Sequence, residues 1–318
     1  MALTTLRIGI IGTGAIGGFY GLMLARAGHD VHFLLRSEYP AVAQNGLRLN
    51  SQVHGALSLS PVNAYDDVAK MPPCDWLLVG AKTTSNADLA PLIIQAAAQG
   101  AKVLLLQNGL AVEDELRALL PEHIHLLGGL CFICVHRAEP GVIEHQAFGG
   151  VNIGYHSGSA QEAEERQAIV EEGAALFRSA GLDSNAMPNL EQARWQKLVW
   201  NIPYNGLSVL LDSGTRAIMD NPDSRALVAE LMEEVIAGAA ACGHSLPQGI
   251  VGAMLGSTDA MPDYLPSMYH DFAQRRPLEL GAIYAAPLEA ARRAGRDLPK
   301  IEALYRALRF IDARNQAR

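Results

Sequence analysis

Charge is scarce in this chain and never concentrated. Of its 318 residues only 18% are Asp, Glu, Lys or Arg, the formal net charge is −8, and no block of Lys or Arg occurs. A polyanion needs a basic patch, so nucleic acid is not an expected partner. Cysteine is as sparse: Cys74, Cys131, Cys134 and Cys242. The close pair, Cys131-Phe132-Ile133-Cys134, lies inside the apolar run 126–135, which has strand character. On a strand, positions three apart point to opposite faces, and no second pair exists to complete four ligands. The thiols are therefore expected to be buried and reduced, with no metal site. No leader is expected either. Met1-Ala2-Leu3-Thr4-Thr5 runs into the first strand without an n-region, h-region or cleavage site, which points to the cytoplasm. Nor is a membrane span expected. Residues 235–258 lack Asp, Glu, Lys and Arg, but Gly243, His244, Ser245, Pro247, Gln248 and Gly249 interrupt them, so they read as two buried helices joined by a turn. There is no internal repeat and no low-complexity segment. With 49% apolar residues, the length suits a compact protein of two domains.

What is present begins with glycine. Gly12-Thr13-Gly14-Ala15-Ile16-Gly17 follows the apolar run Leu6-Arg7-Ile8-Gly9-Ile10-Ile11 and opens an apolar helix that stops at Gly28. A second strand, Val31-His32-Phe33-Leu34-Leu35, ends in Arg36. This is a βαβ unit with a GxGxxG fingerprint: one glycine for the turn, one for close approach of a pyrophosphate, one for helix packing. The pyrophosphate is expected at the helix N-terminus. NAD sites carry an acid where this chain has Arg36-Ser37. A cation there suits a 2′-phosphate, so the expected cofactor is NADP(H).

Strands and helices then alternate: a strand at 74–80, a helix at 86–98 that contains Pro91, a strand at 102–106 and a helix at 112–120. Strands follow near 124–135, 142–145 and 151–155, and a long amphipathic helix spans 160–179. Past Met187-Pro188-Asn189 the strand pattern stops, and helices separated by Gly, Pro and Asn take over. The expected fold is α/β: a Rossmann-type doubly wound sheet over 1–187, binding NADP(H), then an all-helical substrate and catalytic domain over 188–318. Ligands of such sheets bind beyond the carboxyl ends of the strands, and the cleft is expected there, against the second domain.

Three segments are candidates to line it. Ala81-Lys82-Thr83 and Gln107-Asn108-Gly109 each close a strand at that edge. Taken singly, Lys82 is equally consistent with a solvated lysine, and Asn108 with the turn chemistry of Asn-Gly. In the third, Lys197, Asn201 and Asn205 recur every four residues and form one polar stripe on a helix otherwise showing Trp, Leu, Val and Ile. No charged side chain occurs from 198 to 211, unlike a solvated helix face, and Pro203 should free the Val199 carbonyl and kink the helix. An amine so placed can lose basicity by desolvation and serve as a proton donor.

These residues resemble the ketopantoate reductase (2-dehydropantoate 2-reductase) family over nearly the whole chain. The likeness rests on the glycine motif, Arg36, Lys82, Gln107-Asn108-Gly109, the Pro140-Gly141-Val142-Ile143-Glu144-His145 segment, and above all Lys197-x3-Asn201-x3-Asn205 with Ser267 and Glu279 downstream. The resemblance implies NADPH-dependent reduction of a 2-oxo acid, 2-dehydropantoate to pantoate in pantothenate biosynthesis. It implies Lys197 as general acid, with Glu279 holding it charged and oriented while touching cofactor or substrate. Asn201, Asn205 and Ser267 would hold substrate, Asn108 would bridge cofactor and substrate, and Arg36 with Lys82 would hold the adenosine end. A small-molecule substrate, no membrane and no nucleic acid complete the expectation, with a homodimer left open.

The chain departs from the family pattern at Gly206, where the family commonly has Pro, at Gly281, at Tyr284-Ala285 and at Tyr264. These positions flank the substrate residues, so they bear on which 2-oxo acid is used. Two other readings stay open: a related dehydrogenase of a different 2-oxo or a 3-hydroxy acid, and a non-catalytic NADP(H) sensor, which need not keep both Lys197 and Glu279.

Overall fold

A computed structural model describes residues 6–317. The chain divides into two compact units, 1–107 with 112–190, and 108–111 with 191–318.

The first unit holds β1 (Arg7–Ile11), α1 (Ala15–Arg26), β2 (Asp30–Leu34), α2 (Tyr39–Asn45), β3 (Leu47–Ser51), β4 (Gly55–Leu59) and β5 (Asn63–Tyr65). It continues with β6 (Cys74–Val79), α3 (Asn86–Ala96), β7 (Ala97–Leu105), α4 (Val112–Arg117), β8 (His125–Glu139), β9 (Val142–Ser157), α5 (Ala163–Ser179) and β10 (Ala186–Met187). Among the described residues these strands form one sheet in the order β4-β3-β9-β8-β7-β6-β1-β2-β5, with β10 paired to β9. From β5 to β8 every neighbour is parallel. Strands so covered are buried, and Ile8, Ile10, Trp76, Leu78, Val103 and Leu104 are all fully inaccessible. The chain order reverses at β1, with β2 on one side and β6 on the other, which is where an α/β sheet opens a binding crevice.

The sheet is larger than the sequence pattern suggests. Residues 142–145 and 151–155 belong to one strand, β9, which runs antiparallel to β8 through several bulges. Gly149 is the extra residue of one bulge, and Phe148 before it has φ of 64°. The bulge scrambles the in–out alternation without ending the pairing, so the segment looks like a loop in sequence. The hairpin β3–β4 adds to the far side, β3 pairing parallel with β9. Helix α3 ends at Ala96 and the chain enters β7 at once, several residues earlier than expected.

The second unit contains α6 (Leu190–Leu210), α7 (Thr215–Asp220), α8 (Pro222–Ala241), α9 (Ile250–Ala260), α10 (Ser267–Ala273), α11 (Ala286–Arg293) and α12 (Pro299–Gln316), with a π-helical turn at Gly281–Ala285. Helix α6 is continuous through Pro203. Its apolar residues Trp195, Leu198, Val199 and Ile202 form the centre of the unit's core with Val228, Met232 and Val235 of α8. Trp195 is fully buried and lies against Gly238, so Trp195→Ala is expected to cost about 3–5 kcal/mol. Residues 235–258 do form the end of α8, a turn and most of α9, but α9 is mainly exposed, with Ile250 and Thr258 buried. Among the described residues no helix is long and apolar enough to cross a membrane.

All four cysteines are free thiols, three buried and Cys242 half-buried. Burial pushes the Cys74 and Cys134 thiols up to about 12, so they stay protonated and unreactive at neutral pH.

Candidate active site

In the first unit the glycine loop is fixed by contacts too close for any side chain. Gly12 has φ of +89°, and a Cβ there would lie 2.5 Å from the Ala81 nitrogen. At Gly17 a Cβ would lie 2.3 Å from the Gly12 oxygen. The loop therefore closes on itself and on the segment after β6, bringing Gly12 and Ala81-Lys82 together. Gly14, by contrast, faces open space, with nothing within 4 Å of the point where a Cβ would stand. Helix α1 starts immediately after it, with no side-chain cap and no acid in its first turn. Its leading N–H groups, those of Ala15 and Ile16 included, suit an anion. A dinucleotide pyrophosphate fits this cradle.

The flanks are tied down by side chains. Thr13 Oγ1 donates to the Leu34 carbonyl at 3.2 Å, anchoring the loop to the end of β2. Arg36 and Ser37 follow two residues later and are exposed. Gln107 Nε2 donates to the Ala81 carbonyl at 3.0 Å and to Asn86 Oδ1 at 2.8 Å. Asn86 Nδ2 in turn donates to Glu115 Oε2 at 3.1 Å. Gln107 thus holds the segment carrying half-buried Lys82. Its positioning role and that of Asn86 are invisible in sequence, because only the fold sets the two strand ends side by side.

In the second unit, contacts of α6 reach two other candidate segments, the start of α10 and the turn after Glu279. Asn201 and Asn205 are 6% and 2% exposed, so the α6 stripe is not a solvated face. Asn205 Nδ2 donates to the Asn201 carbonyl at 3.0 Å, and Asn205 Oδ1 accepts the Met268 N–H at 3.3 Å. Asn205 thereby joins α6 to the first turn of α10, where Ser267 is the first residue. Asn201 Nδ2 is buried and has no hydrogen-bond partner in the structure. Such a group costs about 1–3 kcal/mol unless something accepts from it, which suits a donor kept for a ligand.

Glu279, 5% exposed, sits just before the π-helical turn. Turns of this kind concentrate at functional sites. The Leu110 N–H donates to the Ala282 carbonyl at 2.9 Å, and at Gly109 a Cβ would lie 2.4 Å from that of Ala282. Asn108-Gly109 therefore lies on the turn that follows Glu279. Tyr284, from the same turn, is fully buried, and its Oη donates to the Ile202 carbonyl at 2.7 Å. This hydroxyl fills the space over Gly206, where a Cβ would stand 2.5 Å from it. Two departures noted in the sequence, Gly206 and Tyr284, are thus a matched pair. Tyr264 is buried near Trp200, ring centres 6.4 Å apart, with its N–H donating to Thr215 Oγ1 at 3.0 Å.

Residues 8–158 match the family model described as ketopantoate reductase PanE/ApbA, and residues 189–312 match its C-terminal counterpart. A 2-dehydropantoate 2-reductase of Nostoc sp. (strain PCC 7120 / SAG 25.82 / UTEX 2576) is 43% identical over 312 residues, covering 98% of this chain and 96% of the relative. The crystal structure of 2-dehydropantoate 2-reductase from Geobacter metallireducens GS-15 superposes with a TM-score of 0.88 at 42% identity, covering 96% of this chain and 99% of that one. A D-mandelate dehydrogenase solved with NADH and anilino(oxo)acetate shares the fold alone, with a TM-score of 0.86 at 21% identity over 98% of this chain and 99% of that one. On the family match across both units and the identity along its whole length, the chain belongs to the ketopantoate reductase family.

Proposed function

We propose that the protein reduces the ketone of 2-dehydropantoate to the alcohol of pantoate, with NADPH as cofactor. The observation that carries this reading is the buried amide of Asn201, unsatisfied by protein, on the same helical row as Lys197 and Asn205. NADPH, when bound, supplies the hydride. Gly12, Thr13, Gly14, Ala15, Ile16 and Gly17 hold its pyrophosphate, and Arg36 and Lys82 its adenosine end. Lys197 delivers the proton to the ketone oxygen, general acid catalysis being worth about 10²–10⁴ in rate. Asn201 donates to a substrate oxygen, Ser267 and Asn108 bind alongside, and Asn205 holds Asn201 and α10 in register while offering its second N–H. Glu279 keeps Lys197 charged and oriented, since a neighbouring carboxylate raises an amine's pKa. Glu279→Gln should then move the basic limb of the rate profile to lower pH.

The test is loss of reduced-nicotinamide absorbance with a panel of 2-oxo acids. 2-Dehydropantoate should give the highest kcat/KM, and a better substrate of another size would reassign the specificity while keeping the chemistry. Absence of turnover with every 2-oxo acid, with NADPH still bound, would favour a sensor instead. A homodimer is the assembly to look for, by sedimentation velocity.

A further inference from the structure

The loop that follows β2 contains both signs of charge. Arg36 and Ser37 are exposed, whereas Glu38, two residues beyond Arg36, is buried with 7% exposure. Both of its carboxylate oxygens are engaged by the protein. Glu38 Oε1 accepts from Arg137 Nη1 near the end of β8, and Oε2 accepts the Gly141 N–H at 3.2 Å, in the turn between β8 and β9. The Pro140-Gly141 segment singled out in the sequence therefore has a task in the first unit. It receives one oxygen of Glu38 while Arg137 neutralises the other.

A carboxylate in this loop is the group that accepts a ribose 2′-hydroxyl, and it would repel a 2′-phosphate. The same fold carries NADH in the mandelate enzyme, so the choice lies in side chains rather than in the sheet. We propose that Glu38 and Arg137 form a charge lock that determines cofactor specificity. Arg137 withdraws and neutralises the carboxylate, so that the loop presents Arg36 and Ser37 to the 2′-phosphate. Glu38 and Arg137 act as positioning residues, and the inference rests on the reading of Arg36 given above.

The experiment is calorimetric titration of the full chain with NADP⁺ and with NAD⁺, which reads binding without turnover. Arg137→Met leaves an unneutralised carboxylate two residues beyond Arg36. It should weaken NADP⁺ about tenfold or more while changing NAD⁺ less than about threefold, the scale of losing a charged contact. Glu38→Gln keeps an acceptor for the Gly141 N–H but no charge, so the NADP⁺ preference should hold or rise. In the double variant Glu38→Gln/Arg137→Met the preference should return to within about threefold of the unmodified protein. A purely structural bridge predicts otherwise: Arg137→Met would weaken both nucleotides alike and the double variant would not recover, and either result overturns the proposal. So would a fall in preference on Glu38→Gln, a variant that reports even if Arg137→Met folds poorly. Arg36→Ala separates the two readings. If it leaves the preference intact, the assignment of Arg36 fails; if it erodes the preference while Arg137→Met does not, the lock alone fails.

Discussion

The two units build their candidate sites from different materials. In the first, the decisive atoms are main chain: a loop compressed until only glycine fits at 12 and 17, and a helix N-terminus left open at Gly14. In the second, they are side-chain amides buried on a helix, one engaged by protein and one not. A main-chain site is specified by where side chains are forbidden, so substitutions at Gly12 and Gly17 act by collision. A side-chain site is specified by which polar groups are left unsatisfied, so substitutions there can separate function from stability.

The largest effect expected tests the second unit. Lys197→Ala should lower turnover by about 10²–10⁴-fold and leave NADPH affinity nearly unchanged, as measured by stopped-flow reduction and by titration. Equal turnover in the variant would return Lys197 to the status of a structural lysine. Next comes the first unit. Gly17→Ala places a methyl 2.3 Å from the Gly12 oxygen, and neither backbone can yield without opening the loop. Overpacking of about 1–3 kcal/mol should appear as a roughly 10–100-fold loss of NADPH affinity together with a lower melting temperature. A variant that binds NADPH normally would mean that the loop tolerates expansion.

This contrast also explains what the sequence can disclose. The glycine motif is legible because steric exclusion leaves only glycine at 12 and 17, and their spacing states the geometry. The α6 stripe is legible because Lys197, Asn201 and Asn205 keep helical period in an otherwise uncharged stretch. What stays hidden depends on non-local contacts. No periodicity connects Asn205 to Met268, Gln107 to Ala81, or Glu38 to Arg137. Strand β9 reads as two pieces because its bulges break the alternation on which strand recognition rests. Pro203 does not end α6, whose burial in the unit's core outweighs one missing hydrogen bond.

A sharper form of the comparison lies within α6 itself. Asn201→Ala removes a buried amide with no protein acceptor, so stability should hold or rise, while KM for the 2-oxo acid rises about tenfold or more. Asn205→Ala instead breaks the bonds to the Asn201 carbonyl and the Met268 N–H inside a buried region. It should cost about 2–4 kcal/mol in urea unfolding. If both variants lose stability equally, Asn201 is held by protein and its place as a substrate contact is lost.

The smallest effect concerns the pair that departs from the family pattern. Tyr284 Oη donates to the Ile202 carbonyl, one residue past Asn201, and occupies the space that a side chain at 206 would need. Tyr284→Phe removes one hydrogen bond and should cost about 1 kcal/mol of stability. Gly206→Ala gains helix propensity of about 0.5–1 kcal/mol, but its methyl would stand 2.5 Å from the hydroxyl and 2.7 Å from Leu304 Cδ2. The leucine terminus can turn aside, whereas the tyrosine ring is packed against Tyr305 at 6.3 Å and cannot. Gly206→Ala alone should therefore be destabilising by about 1–3 kcal/mol. In the double variant the alanine methyl takes the volume the hydroxyl has left. Its loss should fall short of the sum of the single losses by about 1 kcal/mol, a coupling well above that of independent sites. Because the turn bearing Tyr284 follows Glu279, kcat in Tyr284→Phe should fall only a few-fold and the double variant should recover part of it. Strict additivity in the unfolding cycle would mean that residue 206 and the tyrosine hydroxyl do not compete for one space.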